Sequence, residues 1–399
     1  MSTNKSHKAL DFSNTEIAFK HYDSNRLKKT YAIFALMNLN WVVKIGTFLI
    51  KMALNLNLPV KKIIKGTIFQ HFCGGEDIDD CENTMNELYH FKVGTILDYS
   101  VEGEDSEVDF DKTKEELIRT VIYSDKQEEK IPFCVFKVSG LGSVDLLEKY
   151  QKNPNSLTVA ELEAFERIKA RLEDLCEAAN EKKVRLFFDA EETWIQDIID
   201  ELCLDMMRKY NFGDLAIIHN TYQLYRVAAL GILKNHVEIA QSQGFKIGAK
   251  LVRGAYMEKE RKRALSENYE SPINATKQIT DDEFDAAMEF CIENIDTVHF
   301  CLGTHNELSC NKCLIQMNKK GLDVDDSRIY FAQLLGMSDN ISFNLAKENY
   351  NVAKYVPYGP IESVMPYLFR RAQENTAMAG QSSREFLLIK KELKRRRRK

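Results

Sequence analysis

From about residue 93 onward, short β-rich runs alternate with longer helical patterns, and this alternation limits the possible folds more than any other feature. Most of the runs are apolar throughout, as expected for parallel strands that are buried on both faces. Eight such strand–helix units predict an α/β protein with a (β/α)8 barrel of the TIM type. A doubly wound sheet is the structural alternative. The predicted strands are GTILDYS (94–100), FCVFKVS (133–139), VRLFFDA (184–190), LAIIHNT (215–221), KIGAKLV (246–252), TVHFCLG (297–303), RIYFAQL (328–334) and NVAKYVP (351–357).

The chain on either side of these units does not show the alternation of strands and helices. Residues 1–92 contain no good strand candidate and are predicted to form an N-terminal helical region, with the barrel at 93–380. The early stretch WVVKIGTFLIKMAL is apolar, but Lys44 and Lys51 interrupt it well short of membrane-spanning length, so we predict an amphipathic buried helix. Residues 381–399 end in KKELKRRRRK and are predicted to be a basic C-terminal tail.

Charge and cysteine content narrow the function classes. The net charge of −5 gives no general reason to expect a nucleic acid partner. Nine cysteines are scattered singly, which indicates reduced thiols. CNKC is the only CxxC motif, and a zinc site would need a second pair, so we predict no metal. The N-terminus lacks the apolar core of a signal peptide and is too acidic for a good transit peptide, which favours a bacterial cytoplasmic location with peripheral contact at the inner membrane, and the mitochondrial matrix side is the alternative.

Groups able to hydrogen-bond recur at or just after the ends of the predicted strands. In a (β/α)8 barrel, functional groups lie at the C-terminal ends of the strands. The repetition therefore predicts a site at this end of the barrel, although any single member is equally well explained as a satisfied polar group at the rim. These strand-end residues are Lys137, Asp189, Asn220, Lys250, Thr304, His305, Asn306, Gln333 and Tyr355, and the apolar Ala190 follows Asp189 at the end of the third strand.

The run after the fifth strand, RGAYM, combines small residues with side chains that could pack on a flat ligand. Gly254 and Ala255 are small, so a flat ligand could approach the backbone closely there. Tyr256 and Met257 could pack on such a ligand.

The run PYLFRRAQEN (366–375) is predicted to be helical. Tyr367, Arg370, Arg371 and Glu374 fall within about one face of that helix. A guanidinium is a planar fork that matches a carboxylate with two hydrogen bonds. The two arginines therefore predict a clamp for a small substrate that carries a carboxylate, with a solvated helix face as the alternative.

Several spaced motifs together resemble the proline dehydrogenase family, whose members are FAD enzymes that oxidise L-proline to Δ1-pyrroline-5-carboxylate. They are KLVRGAYM, THNE, FAQLLGM and YVPYGPIESVMPYLFRRAQEN, with LDYSVE, FKVSGLG, LFFDAEET and NTYQ in the same order as in the family. The resemblance covers about 94–378 and implies a distorted (β/α)8 barrel. No aldehyde dehydrogenase portion follows, so the chain resembles the monofunctional enzymes.

The resemblance also implies roles for individual residues. Arg370 and Arg371 would pair with the proline carboxylate, and Asp189 and Lys250 would be the catalytic residues. The proline pocket would be lined by Lys137, Asp189, Ala255, Leu335, Tyr355 and Tyr367. The flavin would lie against Lys250, Val252, Arg253, Gly254, Ala255, Tyr256 and Met257. The rest of FAD would be held by Ala190, Asn220, Thr280, Thr304, His305, Asn306, Gln333 and Glu374.

By the same resemblance, hydride would pass from proline C5 to flavin N5, as the first step of proline degradation to glutamate, and the electrons would pass on to membrane quinone. A cation near N5, here Lys250, would favour the reduced flavin. The apolar and then cationic run FLLIKKELKRRRRK predicts contact with an anionic membrane surface, with a solvated terminus as the alternative.

The chain departs from the family pattern at three positions. Lys250 stands where many bacterial members have Arg, Asn220 where Gln is frequent, and Met257 where Trp is common. Three other functions stay open. One is a hydroxyproline dehydrogenase, which Tyr355 disfavours because its phenol would crowd a ring hydroxyl. Another is a Schiff-base lyase with Lys137 or Lys250 as nucleophile. The third is a non-catalytic nucleic-acid-binding protein that uses the basic tail.

Overall fold

The computed structural model describes residues 9–56, 59–100, 106–374 and 383–398. It confirms the barrel: eight parallel strands close in sequence order, from β1 to β8. The strands are β1 Gly94–Tyr99, β2 Phe133–Phe136, β3 Arg185–Phe188, β4 Ile218–Gln223, β5 Ile247–Val252, β6 Val298–Gly303, β7 Ile329–Leu334 and β8 Val352–Tyr358.

The predicted bounds are wrong for two strands: the second was predicted as 133–139 but ends at Phe136, before a 3-10 turn at Val138–Gly140, and the fourth was predicted as 215–221 but covers Ile218–Gln223. The pairing of the fourth strand with β5 extends to Gln223 opposite Val252. At its start, the side chain of Asn211 accepts hydrogen bonds from the backbone N–H groups of Ile217 and Ile218, at 2.9 and 2.8 Å. A side chain, instead of a neighbouring strand, therefore satisfies these two N–H groups, and the strand begins later than the apolar run suggests.

Helices surround the strands. Among the described residues, eight of them begin at a polar side chain that accepts a backbone N–H, as Thr158 does together with Glu161 in a capping box. A π-helical turn covers Lys65–Phe69. The helices are α1 Thr15–Ala18, α2 Ser24–Met37, α3 Asn40–Asn55, α4 Lys61–Ile64, α5 Gln70–Phe72, α6 Glu82–His90, α7 Glu107–Asp125, α8 Val144–Lys152, α9 Val159–Lys182, α10 Thr193–Tyr210, α11 Ala229–Gln243, α12 Met257–Glu267, α13 Lys277–Glu293, α14 Glu307–Lys320, α15 Asp339–Lys347, α16 Ile361–Glu374 and α17 Arg384–Arg396.

The contacts divide the chain into two compact units, and the first of them, the central unit, comprises Met1–Ala9 and Gly103–Ala332. Its strands pair in parallel from β2 through β7. At one end of this sheet, the guanidinium carbon of Arg185 lies 4.3 Å from the ring centroid of Phe133 and 4.5 Å from that of Tyr330. Aromatic packing of this kind fills space between the strands at that end.

The second, the flanking unit, comprises Leu10–Glu102 and Gln333–Lys399. In it β1 pairs with β8, and the helices before and after them share one apolar cluster that includes Phe34, Phe72, Leu368 and Ile389. Ile389 belongs to α17, so the basic end of the chain is part of this packed unit as far as it is described. The earlier division at residues 92 and 380 stays a prediction.

The apolar stretch predicted to be a buried amphipathic helix forms α3, and the prediction of burial is wrong for one face. Trp41 and Phe48 are 64% and 66% exposed, whereas Val43 and Ile50 pack on the apolar cluster. Within the described residues, no single helix has both the length and the apolar character to cross a bilayer, and one bent pair, Ser24–Met37 with Asn40–Ala53 at 94°, meets both conditions jointly.

Candidate active site

A buried lysine–aspartate pair lies at the C-terminal end of the central unit's strands. Lys250 Nζ lies 2.7 Å from Asp189 Oδ1 and 5.0 Å from the ring centroid of Phe187. The Lys250 side chain is buried, and that of Asp189 is 21% exposed. Asp189 is positioned by its own backbone N–H, which donates to Phe136 O at 2.8 Å. The structure therefore brings the two predicted catalytic residues together as a fixed cation and a partly open carboxylate.

Strand geometry explains why these two groups meet. Residues on a strand alternate between its two faces, so Phe187 and Asp189 share one side of the wall. The ladder places Thr221 opposite Lys250, and the Lys250 side chain lies on the side of Phe187. The pair thus depends on the register of three neighbouring strands.

Two other predicted residues lie on the opposite, helix-facing side of their strands. Asn220 Nδ2 donates to Asp200 Oδ1 of α10 at 2.8 Å. Gln333 Oε1 accepts a hydrogen bond from Ser342 Oγ of α15 at 2.8 Å. The prediction that Asn220 ends the fourth strand is wrong. Because both side chains face helices, their positions do not support either residue as a ligand group at the strand ends.

The true end of β4 is Gln223, which the sequence reasoning missed. Its Nε2 donates to the backbone oxygen of Glu191 at 2.7 Å, and its Oε1 accepts from the backbone N–H of Ala255 at 3.3 Å. One buried amide therefore links the segment after β3 to the loop after β5. Gln223 was present in the quoted motif NTYQ, and a strand boundary two residues later would have identified it.

The loop after β5 is shaped by glycine. Gly254 has φ +133°, and a Cβ at this position would lie 2.4 Å from the ring of Tyr225. Gly254 and Ala255 are exposed, and Tyr256 is half-buried. Burial raises the pKa of Tyr256, so its phenol stays neutral. The chain thus presents a smooth stretch of backbone beside Lys250, as expected for a surface that accepts a flat ligand.

Arg253 organises the neighbouring strand ends. Its Nε lies 2.6 Å from Asp281 Oδ1, and its terminal nitrogens donate to Thr304 Oγ1 at 2.7 Å and Ser309 Oγ at 3.0 Å. Asn306 caps α14, because its Oδ1 accepts from two backbone N–H groups of the first turn. The structure therefore places Arg253, Thr304 and Asn306 in one polar network.

The remaining predicted residues of the central unit have separate surroundings. Thr280 is buried in α13 near Asn274, whose Nδ2 donates to its hydroxyl at 3.4 Å. Lys137, Val252 and His305 are half-buried at or just after their strands, Ala190 is buried, and Met257 is 45% exposed at the start of α12.

Glu191 is a further residue that the sequence reasoning missed. Burial raises its pKa to about 7, although the backbone N–H of Ser139 donates to its Oε1 at 2.9 Å and the charge of Lys137 opposes the shift. A carboxyl group that titrates near neutrality is a candidate for proton exchange. Its only signal in the sequence was its place two residues after a strand-end aspartate.

In the flanking unit, the predicted arginine clamp lies on α16. Arg371 is only 6% exposed, which excludes a solvated face for it. Its guanidinium donates to Glu374 Oε1 at 2.6 Å, and its Cζ lies 5.0 Å from the ring centroid of Tyr367. Arg370, one residue earlier, is half-buried.

Tyr367 is the most informative member of this group. Its hydroxyl is buried and has no hydrogen-bond partner among the described residues. Burial raises the pKa of Tyr367, so the group is a neutral phenol. Buried hydroxyls are normally hydrogen-bonded, so this one is suited to a partner supplied by a ligand. Two other residues predicted for the proline pocket belong to the same unit: the backbone N–H of Leu335 donates to Tyr355 O at 2.9 Å, and Tyr355 is half-buried in β8.

Comparison with known proteins gives a consistent result. The family model described as proline dehydrogenase matches residues 81–384. Proline dehydrogenase 1, mitochondrial, of Dictyostelium discoideum is 30% identical over 438 residues, covering 98% of this chain and 76% of the relative. The carbapenem antibiotics biosynthesis protein CarD of Pectobacterium carotovorum is 36% identical over 325 residues, covering 82% of this chain and 83% of the relative.

Solved structures show the same fold. Proline utilization A from Bdellovibrio bacteriovorus, inactivated by N-propargylglycine, superimposes with a TM-score of 0.72 at 20% identity. The superposition covers 92% of this chain, which spans 38% of the length of that protein. At this identity the likeness speaks for the fold alone.

Proposed function

This chain belongs to the proline dehydrogenase family, and from that premise we propose that it oxidises L-proline to Δ1-pyrroline-5-carboxylate, with FAD as cofactor and a membrane quinone as the electron acceptor. The reaction would be the first step of proline degradation to glutamate. The observation that carries the proposal is the α16 group, in which a buried arginine and a buried tyrosine hydroxyl lie on one helix face.

The α16 group suits the carboxylate of a small amino acid. Arg371 is oriented by Glu374 and stacks near Tyr367, so its fork loses little freedom when it binds a carboxylate. Arg370 offers a second fork one residue away. Because both charges are fixed on one helix, bound proline would be held in one orientation. Part of the binding energy would then position its ring.

The central unit fits a flavin. The loop Arg253–Met257 has an exposed backbone at Gly254 and Ala255, where a flat ring system meets no side chain beyond a methyl group. Lys250 supplies a buried cation next to that loop. We assign the rest of the cofactor to Ala190, Thr304, His305 and Asn306 at the neighbouring strand ends and to Thr280 of α13, with Gln223 in place of Asn220. FAD, when bound, supplies the acceptor for the hydride that leaves proline C5.

The chain's own residues have two further tasks. A protonated secondary amine cannot expel hydride, because its lone pair is occupied, so the amine must be neutral when C5 reacts. Lys250 favours negative charge that develops beside it, and Asp189 keeps Lys250 in place. Asp189 is partly open, so water can reach the pair and exchange protons with it.

The first test is spectroscopic. The purified protein should be yellow, and adding L-proline without an electron acceptor should bleach the flavin absorption. A colourless protein that forms a borohydride-trappable adduct with a carbonyl substrate would instead support the Schiff-base lyase.

The second test addresses the carboxylate clamp. We expect Arg370→Met and Arg371→Met each to reduce kcat/KM for proline by about 30-fold to several thousand-fold, equivalent to about 2–5 kcal/mol for a desolvated charge pair. Arg208→Met is the matched control, since Arg208 also pairs with an acid three residues away, Asp205, but on an exposed helix face. Wild-type kcat/KM in both α16 variants would overturn the clamp.

The names of the relatives bear on the cellular location. Those of Dictyostelium, Arabidopsis and human are named mitochondrial, which supports the mitochondrial alternative over a bacterial inner membrane. We propose the matrix side of the inner membrane, where fractionation should recover the protein and its proline-oxidising activity together.

A further inference from the structure

One face of α3 exposes a continuous row of large apolar side chains. The row is made of exposed side chains at a helical spacing of three or four residues. Its members are Trp41, Ile45, Phe48 and Met52 on the helix and Leu56 just after its end. Leu49 lies beside this row, and Leu36 and Leu39 extend it toward α2. We call this surface the outer face of α3. A row of this size is more than the scattered apolar residues of an ordinary surface.

The chain segment that carries the outer face has basic but no acidic residues. From Ser24 to Gly75 the chain has eight Lys and Arg residues and no Asp or Glu. Lys44 and Lys51 lie on α3 itself, on the same edge of the outer face, and both are exposed. Three of the eight cations, Arg26, Lys61 and Lys65, pair with glutamates elsewhere in the chain, so the two lysines of α3 itself carry the argument. Apolar anchors with lysines at their border are the pattern of a helix that lies in a membrane interface, and the charge of these lysines is complementary to anionic lipid.

The inner face of α3 is held by the flanking unit. Val43 and Ile50 pack on the same apolar cluster as Tyr367 and Leu368 of α16, and Lys51 Nζ lies 5.3 Å from the ring centroid of Phe369. A helix fixed in this way presents its outer face at little further entropic cost. It also places the helix that carries the arginine pair directly behind the outer face.

We propose that the outer face of α3 docks on an anionic lipid membrane, with its apolar side chains in the headgroup–acyl boundary and its lysines against lipid phosphates. This surface rests on the proposed function, because it brings the flavoenzyme to the phase that holds its quinone. It assigns membrane contact to α3 rather than to the basic C-terminal run.

The described part of the C-terminal run is already engaged with the protein. The guanidinium of Arg396 donates to the backbone oxygens of Phe19 and Tyr22, at 2.7 and 2.9 Å. Arg395 and Arg396 both pair with the fully buried Glu392. These contacts dock α17 onto the N-terminal helices and direct part of its positive charge inward.

The decisive experiment is co-sedimentation with vesicles of phosphatidylcholine containing cardiolipin. We expect Ile45→Gln/Phe48→Gln/Met52→Gln to lower the membrane partition coefficient about tenfold or more. Val159→Gln/Phe212→Gln is the control. These two apolar side chains are also exposed, at 74% and 62%, but they lie outside the outer face of α3. Lys44→Gln/Lys51→Gln should weaken binding to cardiolipin vesicles but not to pure phosphatidylcholine vesicles.

Tryptophan emission gives a second, independent readout. The chain has two tryptophans, Trp41 on the outer face and Trp194 on α10. In a Trp194→Phe variant, Trp41 emission should shift to the blue on adding vesicles and should be quenched by lipids brominated near the headgroup end of the chains. Unchanged Trp41 emission with vesicle-bound protein would overturn the proposal.

Three further outcomes would also overturn it. One is wild-type partitioning of the Ile45/Phe48/Met52 variant. Another is loss of binding only in Lys394→Gln/Arg397→Gln/Arg398→Gln. The third is a wild-type dimer without lipid that the outer-face variant converts to a monomer, since a second copy would then cover this face.

Activity assays separate this inference from the proposed function. With a soluble dye as acceptor, the outer-face variant should oxidise proline at the wild-type rate, and with quinone in vesicles it should be slower. Absence of proline oxidation with dye would overturn the proposed function and leave the vesicle result standing by itself.

Discussion

Two strands of the barrel carry a buried lysine in nearly the same local sequence, GAKLV in β5 and VAKYV in β8, and the two lysines have opposite surroundings. Lys250 pairs with Asp189, whose side chain is 21% exposed. Lys354 is 0% exposed and pairs with Asp339, itself 7% exposed, at 2.8 Å. We refer to these as the open pair and the closed pair.

The closed pair is satisfied from within the protein. Lys354 also donates to the backbone oxygens of Leu334 and Met337, and His21 Nε2 lies 3.6 Å from Asp339 Oδ2. Burial alone would raise the pKa of Asp339, but Lys354 and His21 together hold it well below its usual range. The open pair leaves its carboxylate accessible from one side. Identical residue types thus serve structure in one place and are available for chemistry in the other.

The largest effect should come from breaking the closed pair. Lys354→Met leaves Asp339 as a buried charge, and we expect a loss of about 3–5 kcal/mol in the free energy of unfolding. Urea denaturation measures this loss. The double variant Lys354→Met/Asp339→Leu should recover most of it, because it removes both charges. A loss under about 1 kcal/mol in the single variant would mean that the closed pair contributes no more than a surface pair.

Loss of the lysine of the open pair should affect the reaction rate more than the stability. We expect Lys250→Met to lower kcat for proline oxidation about 100- to 1,000-fold, as when one preorganised electrostatic group is removed, and to cost less stability than Lys354→Met because water can solvate Asp189. Steady-state kinetics and urea denaturation on the same samples decide it. The comparison fails if Lys250→Met is the less stable variant, or if folded Lys354→Met shows the same loss of rate.

A pH titration sharpens the comparison, because the closed pair has a titrating neighbour. Burial and the charge of Asp339 raise the pKa of Glu385 to about 7, against the hydrogen bonds that Ser338 donates to it. A carboxyl with a raised pKa in the folded state stabilises the protein at low pH, and this contribution is lost as the pH rises from about 4.5 to about 7.

Glu385→Gln should therefore flatten the dependence of stability on pH in this window, by up to about 1.4 kcal/mol per pH unit. Urea midpoints across the window measure it. Glu191, whose pKa is also raised to about 7, is present in both proteins, so the difference between them isolates Glu385. Parallel curves for wild type and variant would show that Glu385 does not titrate there.

The smallest expected effect concerns Tyr355, which follows Lys354 and points to the other side of the strand. We expect Tyr355→Ser to relax discrimination against 4-hydroxyproline by about tenfold, because the phenol is replaced by space and a short hydroxyl. The measurement is the ratio of kcat/KM for the two amino acids. Tyr89→Ser, at a half-buried tyrosine on α6, controls for general loss of aromatic packing, and an equal change there would remove Tyr355 from the substrate site.

Sequence reasoning succeeded where the signal was local. Short β-rich runs predicted all eight strands, and most of these runs are apolar throughout because a strand buried on both faces needs apolar residues on both sides. Asp189 and Lys250 were identified as strand-end groups, and their contact follows from parallel pairing. It failed at Asn220 and Gln333, whose side chains face α10 and α15. A boundary error of two residues in β4 also hid Gln223.

By itself, the sequence determined the barrel, the order of its strands and the polar character of the strand ends, since each depends on composition within a few residues. Only the tertiary structure decided which side of the wall each polar group faces. A strand has a period of two, so a one-residue change in register moves a side chain from the barrel interior to the helix layer. For the same reason Lys250 and Lys354 look alike in sequence and differ in role. Burial of Arg371 and exposure of α3 were likewise decided by which helices cover them, a property of the packed chain that no local pattern contains.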